Sequence, residues 1–473
     1  MQYNPFEFDK LAKLYEKISK LDNGYHQLDS RGKNIPKGSF SFIGNNIANK
    51  LLERNEKYFM LSGDGRINTP IIIDELTEEL TKKGINVIYA GYNNTTPMFD
   101  IERERLGISG AMITASHQRP EFNGIKLIFN SLSNKPKLAH LMNEIRNGSK
   151  VIYAERLLKE DYIDRLDKKI GVIESGSKII YDALQGTSFE IFKELASRKG
   201  VKYYSFRETP NPFFRLTSGS PDPSNPDNFK KLSESIKDIL EHDFIAIVDG
   251  DGDRFGLAID DYLVPPPIIS ALRAEFSGCD KFVTEYCVSS IIKDYLNKRG
   301  IEVIERKRGR NNIIPICKEN LIPGSEISLH NFGPDGIDDG VYNTFEFIHL
   351  SQKLKNENKT LREKIKEMGS EIRGFYPEIR VDTENNSAEL VNKLSKINSY
   401  SSYPNDDGIR IDNNEYGLFI RGSSNENSLT LNLNWIKGNE SKAQKKLEEV
   451  FNELNKIEPG LREKLQKRLE ELL

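Results

Sequence analysis

FIAIVDGDGDRFGLAI, residues 244–259, sets the reading of the whole chain. An apolar run enters Asp249, and a second apolar run leaves from Phe255, so a short acidic loop joins two buried strands. Asp249, Asp251 and Asp253 alternate with Gly250 and Gly252. At that spacing the carboxylates share one side of an extended segment, or surround a point if the glycines turn it. Like charges held so close need protons or a cation between them. Hard oxygen donors at a strand end suit Mg2+, which takes few protein ligands and leaves room for phosphate oxygens. Arg254 adds a planar cationic fork able to hold a phosphoryl group beside the ion. An Asp-Gly surface turn is the plain alternative, but apolar runs on both sides favour the ligand reading. A helix–loop–helix calcium site fits poorly, because no glutamate stands at the twelfth place.

Outward from this stretch the chain alternates extended and helical patterns. KYFML (57–61) and NVIYAG (86–91) read as strands with a helix over 71–83 between them, and GAMITASHQRPEFNGIKLIF (110–129) reads as strand, polar turn and strand. The rhythm restarts at VIYAE (151–155) and again near residue 258, after a loop rich in Pro, Asn and Ser at 209–228. Beyond 353–366, which reads as one strongly charged helix, the pattern changes. GIRID (408–412), YGLFIRG (416–422) and LTLNLNWI (429–436) read as short strands, the last alternating as if one sheet face were wet. SKAQKKLEEVFNELNKI (441–457) and PGLREKLQKRLEELL (459–473) close the chain as helices, the second an ordinary amphipathic one. The expectation is an α/β protein with three tandem similar α/β domains, at 1–150, 151–257 and 258–370, and a smaller α+β domain at 371–473.

Composition narrows the classes. At 473 residues the chain exceeds one ordinary core, and 37% hydrophobic with 29% charged residues suits a globular protein. No run approaches the roughly 18 apolar residues of a membrane span, and MQYNPFEFDKLAKLYEKI (1–18) does not read as a secretory signal. Cys279, Cys287 and Cys317 form no CxxC pair and read as thiols of a reducing compartment. A net charge of −3, and a basic run RKRGR (306–310) without interleaved aromatics, argue against nucleic acid as a partner. The expectation is a cytoplasmic protein with no membrane partner, acting as a monomer or homodimer.

In MITASHQRPEFNGIK (112–126), Ser116 follows an apolar strand and shares a loop with His117, Asn123 and Lys126. A hydroxyl becomes a useful nucleophile only with a base, a metal or an electropositive pocket beside it. His117 and Lys126 are candidates for moving a proton and stabilising phosphoryl oxygens. Read alone, TAS before a turn is more often a helix cap or a turn serine than a catalytic one.

Taken together, these segments resemble the α-D-phosphohexomutase superfamily. TASHQRPEFNGIK is similar to that family's phosphoserine loop, TASHNPxxxNGxK, through Thr114, Ala115, Ser116, His117, Asn123, Gly124 and Lys126. DGDGDR matches its DGDxDR metal loop. SEISLH resembles the sugar loop GExSGH through Glu326, Ser328 and His330, with Leu329 in place of glycine. RGSSNEN resembles the phosphate loop RxSxTEP through Arg421, Ser423 and Glu426, with Asn425 and Asn427 where threonine and proline are usual. Fainter echoes are DSRG (29–32), GDGR (63–66) and TTP (95–97).

The resemblance implies four domains around a central cleft and a phosphohexomutase acting on a phosphorylated hexose, mannose or glucose. A non-catalytic sugar-phosphate binder and an amino-sugar mutase are the alternatives. It further implies Ser116 as phosphoryl carrier, with Mg2+, one per active site, held by Asp249, Asp251, Asp253 and an oxygen on Ser116. Arg31, His117 and Lys126 would assist the transfer, and a hexose 1,6-bisphosphate would serve as intermediate and activator. Substrate contacts would come from Arg254, Glu326, Ser328, His330, Arg421, Ser423, Ser424 and Asn425.

Overall fold

The computed structural model describes residues 5–22, 24–33, 35–36, 38–131, 136–141, 150–239, 241–397, 408–423 and 427–472. The chain forms two compact units, the first Met1–Leu263 with Leu329–Asn331 and Ile337–Thr360, the second Val264–Ser328 with Phe332–Gly336 and Leu361–Leu473. Three tandem α/β layers and a C-terminal α+β region are present, as the alternation of the sequence implies.

The first unit holds two sheets. Six strands lie in the order His26–Lys33, Phe122–Phe129, Ser109–Ile113, Tyr58–Gly63, Asn86–Tyr89, Val151–Tyr153. Ser109–Ile113 and Tyr58–Gly63 are buried almost throughout, as parallel strands covered on both faces should be. His26–Lys33 and Phe122–Phe129 pair antiparallel, with Asp29 opposite Lys126 and Arg31 opposite Gly124. Val151–Tyr153, where the sequence rhythm restarts, completes this first sheet rather than opening the next. The helix Glu155–Ile170 follows it; its apolar face of Leu158, Tyr162, Ile163, Leu166 and Ile170 is hidden in sequence among charged residues.

The second sheet runs Tyr262–Leu263, Phe255–Ile259, Ile245–Val248, Lys178–Asp182, Lys202–Phe206. Ile245–Val248 and Phe255–Ile259 form an antiparallel hairpin with Val248 opposite Phe255, so the acidic segment is the hairpin's loop. Phe255–Ile259 straddles residue 257, and the sheet continues to Leu263.

In the second unit, Glu302–Arg306, Lys281–Glu285 and Gly324–Ser325 are parallel neighbours. The C-terminal sheet is antiparallel and centred on Ser428–Trp435. The wet face expected of that strand is absent: Thr430, Asn432 and Asn434 are as buried as the leucines between them. Asn434 Nδ2 donates to Ser290 Oγ at 3.0 Å, so the helix Tyr286–Asn297 covers the polar side, which no alternation pattern reveals. The single charged helix expected at 353–366 is two, Gly340–Asn356 and Leu361–Glu371. The closing helix Leu461–Leu472 buries Leu461 and Leu465 against Leu447 and Phe451, which makes it an amphipathic helix of its own domain. Among the described residues no helix is long and apolar enough to cross a membrane.

Leu465 is wholly buried. Leu465→Ala should therefore cost about 2–5 kcal/mol in urea unfolding, while the exposed Lys467→Ala should cost less than about 0.5 kcal/mol.

Candidate active site

The hairpin loop 249–254 is fixed by the starts of three helices. Its successive carbonyls Gly250 O, Asp251 O and Gly252 O accept from Thr187 N at 3.1 Å, Thr96 N at 2.8 Å and Gly340 N at 2.9 Å. Thr96 opens the helix Thr96–Leu106, Gly340 opens Gly340–Asn356, and Thr187 stands just ahead of Phe189–Lys199. Each brings the positive end of a helix dipole to a loop that carries three carboxylates. Gly252 has φ +78°, and a side-chain carbon there would lie 2.7 Å from Thr95 Cγ2, so only glycine allows this turn.

Within the loop the aspartates have different partners. Asp249 Oδ1 accepts from the amides of Asp253 at 3.0 Å and Arg254 at 3.2 Å, while its Oδ2 accepts from Ser116 Oγ at 2.9 Å. Asp251 Oδ2 accepts from Thr96 Oγ1 at 2.6 Å and Lys126 Nζ at 2.7 Å, and lies 3.2 Å from Thr114 Oγ1. Lys126 Nζ also donates to Asp253 Oδ2 at 2.7 Å.

Ser116 is buried and takes a left-handed backbone, φ +53°, which is costly for a residue with a side chain. Its amide donates to Thr114 Oγ1 at 2.8 Å, and its Oγ lies 3.4 Å from His117 Nδ1. Arg31 donates to both carboxylate oxygens of Asp29 and through Nη1 to Ala115 O at 3.3 Å. Strand register puts Arg31 and Lys126 on this loop together. Gly124 makes the pairing possible, since a side-chain carbon there would sit 2.3 Å from Ser30 O. The structure thus gathers Ser116, His117, Lys126, Arg31, Asp249, Asp251 and Asp253 within one unit.

Electrostatics follow from burial and neighbours. Burial, then Asp251 and Asp253, hold the Asp249 carboxyl well above the usual range. Burial and Asp253 push Asp251 upward too, but Lys126 by charge and hydrogen bond, with Thr96, holds it below that range. Burial disfavours the Arg31 charge, yet Asp29, Asp251 and Asp253 keep its pKa above the usual value.

A divalent cation fits this donor set. One ligand atom from each of Asp249, Asp251 and Asp253 lies within 4.8 Å of the others. Asp251 Oδ1 is buried with no hydrogen-bond partner among the described residues, a cost that coordination would remove. The donors are all hard oxygens, which suits Mg2+.

Arg254 and His330 lie beside the acidic loop. They form an isolated antiparallel bridge, and Phe255 N donates to Leu329 O at 3.2 Å. The sequence reading grouped His330 with Glu326 and Ser328. His330 Nδ1 lies 2.6 Å from Asp338 Oδ2 and 3.8 Å from Asp253 Oδ1, and it belongs to the first unit. Leu329 has φ +69°, a conformation that the family's glycine adopts without strain. In the second unit, Glu326 accepts from Gly309 N at 3.1 Å and from Ser328 Oγ at 2.9 Å, which fixes its carboxylate ahead of the helix Arg310–Asn320. Arg421 is the next-to-last residue of the strand Tyr416–Gly422, and Ser423 N donates to Ser428 O at 2.8 Å. Ser424 and Asn425, also read as substrate contacts, lie outside the described residues.

Sequence reasoning missed Thr96, Thr114 and Asp338. The first two sit inside quoted motifs, TTP and TASH, but a threonine there reads as a cap or turn residue until its acceptor is known. Asp338 carried no signal beyond its place in DDG (338–340).

Models of the phosphoglucomutase/phosphomannomutase alpha/beta/alpha domains I, II and III match residues 29–150, 160–261 and 267–370. These matches span more than half of the chain, and the protein belongs to the α-D-phosphohexomutase superfamily. At that level its chemistry is that of a phosphohexomutase, isomerisation by a mutase reaction. A phosphomannomutase/phosphoglucomutase of Pseudomonas putida is 24% identical over 456 residues, 91% of this chain and 94% of that one. A probable phosphoglucosamine mutase of Pyrococcus furiosus is 28% identical over 424 residues, covering 82% and 87%. The crystal structure of a phosphoglucomutase/phosphomannomutase family protein from Burkholderia thailandensis superposes with a TM-score of 0.71 at 18% identity, covering 91% of this chain and 97% of its own.

Mg2+ should raise the thermal midpoint of the free protein, by about 2.7 kcal/mol of stabilisation at a hundredfold excess over its dissociation constant. Asp251→Asn should remove that shift; an equal shift in the variant would show that the ion binds elsewhere.

Proposed function

We propose that this protein interconverts hexose 1-phosphate and hexose 6-phosphate, of mannose or glucose, through phosphorylated Ser116 and a hexose 1,6-bisphosphate. The observation that carries the reading is Ser116 Oγ, held 2.9 Å from Asp249 Oδ2 beside a cluster of buried carboxylates and a lysine. One bound sugar cannot pass a phosphoryl group directly between its two ends, so a carrier hydroxyl beside a cationic site supplies the missing relay. In the first half-reaction the P–O bond to Ser116 breaks as the free sugar hydroxyl bonds to phosphorus and loses its proton. In the second, Ser116 Oγ takes the phosphoryl group from the other end, and the released sugar oxygen regains a proton.

Lys126 and Arg31 neutralise charge on the entering and leaving oxygens, and His117, 3.4 Å from Ser116 Oγ, is positioned to take part in the proton's movement. Mg2+ held by Asp249, Asp251, Asp253 and an oxygen on Ser116 would withdraw charge from the transferring group. Arg254 and His330 bind phosphate or sugar oxygens beside the acidic loop. Glu326 and Ser328 recognise hydroxyls that the sugar presents in both orientations. Arg421, Ser423, Ser424 and Asn425 hold the phosphate that is not reacting.

Incubation with Mg2+, a trace of bisphosphate and the 1-phosphates of mannose, glucose, glucosamine and N-acetylglucosamine should yield 6-phosphate fastest from mannose or glucose. Preference for glucosamine 1-phosphate would move the assignment to the amino-sugar mutases. Steady release of inorganic phosphate would make it a phosphatase, and binding without turnover a sugar-phosphate binder. Ser116→Ala should lower conversion by about 10^3-fold or more; near-normal turnover in that variant would overturn the carrier role.

A further inference from the structure

Arg66 is 2% exposed, and all of its side-chain donors are directed at the loop that carries Ser116 or at that loop's anchor. Its Nη2 donates to Ser116 O at 2.6 Å and Gln118 O at 2.8 Å. Its Nη1 donates to Arg119 O and Phe122 O, both at 2.9 Å. Nε donates to Asp64 Oδ2 at 3.1 Å. Five N–H groups thus meet five acceptors, four of them main-chain carbonyls of residues 116–122.

Asp64 extends the arrangement. Its Oδ2 accepts from Thr114 Oγ1 at 2.7 Å, and Thr114 Oγ1 accepts from the Ser116 amide at 2.8 Å. The peptide groups on both sides of Ser116 are therefore tied to one buried ion pair, and the ring of Phe214 closes over the guanidinium at 5.1 Å. A serine at φ +53° persists only when its surroundings over-determine it. Carbonyls that converge on one cation also repel each other, so the loop has no reason to keep this shape without the guanidinium.

We infer that Arg66 is a positioning residue for the phosphoryl-carrier loop: it holds Ser116 in its left-handed conformation, with Oγ facing Asp249, by organising the loop's carbonyls. The inference rests on the reading of Ser116 as the carrier for its kinetic consequence, but not for its structural one. It is the fork of donors that matters, not the charge, because a lysine ammonium offers three donors from one point.

The test compares Arg66→Lys and Arg66→Ala with the unaltered full-length protein. Peptide-resolved hydrogen exchange should show protection at 116–122 lost in both variants while the strand Tyr58–Gly63 stays protected. With the preferred hexose phosphate, kcat should fall by about 10^2-fold in both, with KM within about threefold and less phosphate on Ser116 by intact mass. Retained loop protection, or full activity in Arg66→Lys, overturns the inference. Protection lost equally across the first sheet also overturns it, since Arg66 would then be a general fold element. Should Ser116 prove not to be the carrier, the exchange result still decides whether Arg66 shapes the loop.

Discussion

Burying Asp249, Asp251 and Asp253 around one point is the constraint to which the first unit is built. Two like charges about 4 Å apart repel by about 4 kcal/mol even at an effective dielectric near 20. The protein meets this cost with named groups. Lys126 bridges Asp251 and Asp253, Ser116 and two loop amides bond Asp249, and Thr96 bonds Asp251, with the Thr114 hydroxyl 3.2 Å away. The starts of three helices supply N–H groups to consecutive carbonyls of the loop. Among the described residues Asp251 Oδ1 is left buried without a hydrogen-bond partner, and that uncompensated charge is what a divalent cation would take up.

The same constraint explains the position of the serine loop. Ser116 donates to Asp249, whose carboxyl burial and its acidic neighbours hold well above the usual range, and its strained backbone keeps the hydroxyl there. Strand pairing brings Arg31 and Lys126 alongside, with Gly124 permitting the close approach of the two chains. The groups gathered here sit on paired strands and on short loops pinned by helix starts, which gives the arrangement a fixed geometry.

Departures from the family's motifs fall where local physics can be stated. Leu329 occupies a left-handed position suited to glycine and is buried there, so backbone strain is set against burial of its side chain. His330 next to it is kept by Asp338 and stands near Asp253, so the altered residue adjoins the acidic loop.

Much was legible in the chain itself. Alternating apolar runs determined three α/β layers, because strands buried on both faces leave a signature no surface loop can mimic. The spacing DGDGDR determined a carboxylate cluster, since glycines between aspartates leave little else for them to do. Tertiary structure alone decided which threonines complete that cluster, that Val151–Tyr153 closes the first sheet, and that the polar face of Ser428–Trp435 is buried. It alone showed that Arg66 addresses four carbonyls of the serine loop. The reason is common to all four: a hydrogen-bond donor or a half-polar strand has the same sequence pattern whatever it faces, and its partner is fixed only when distant segments fold together.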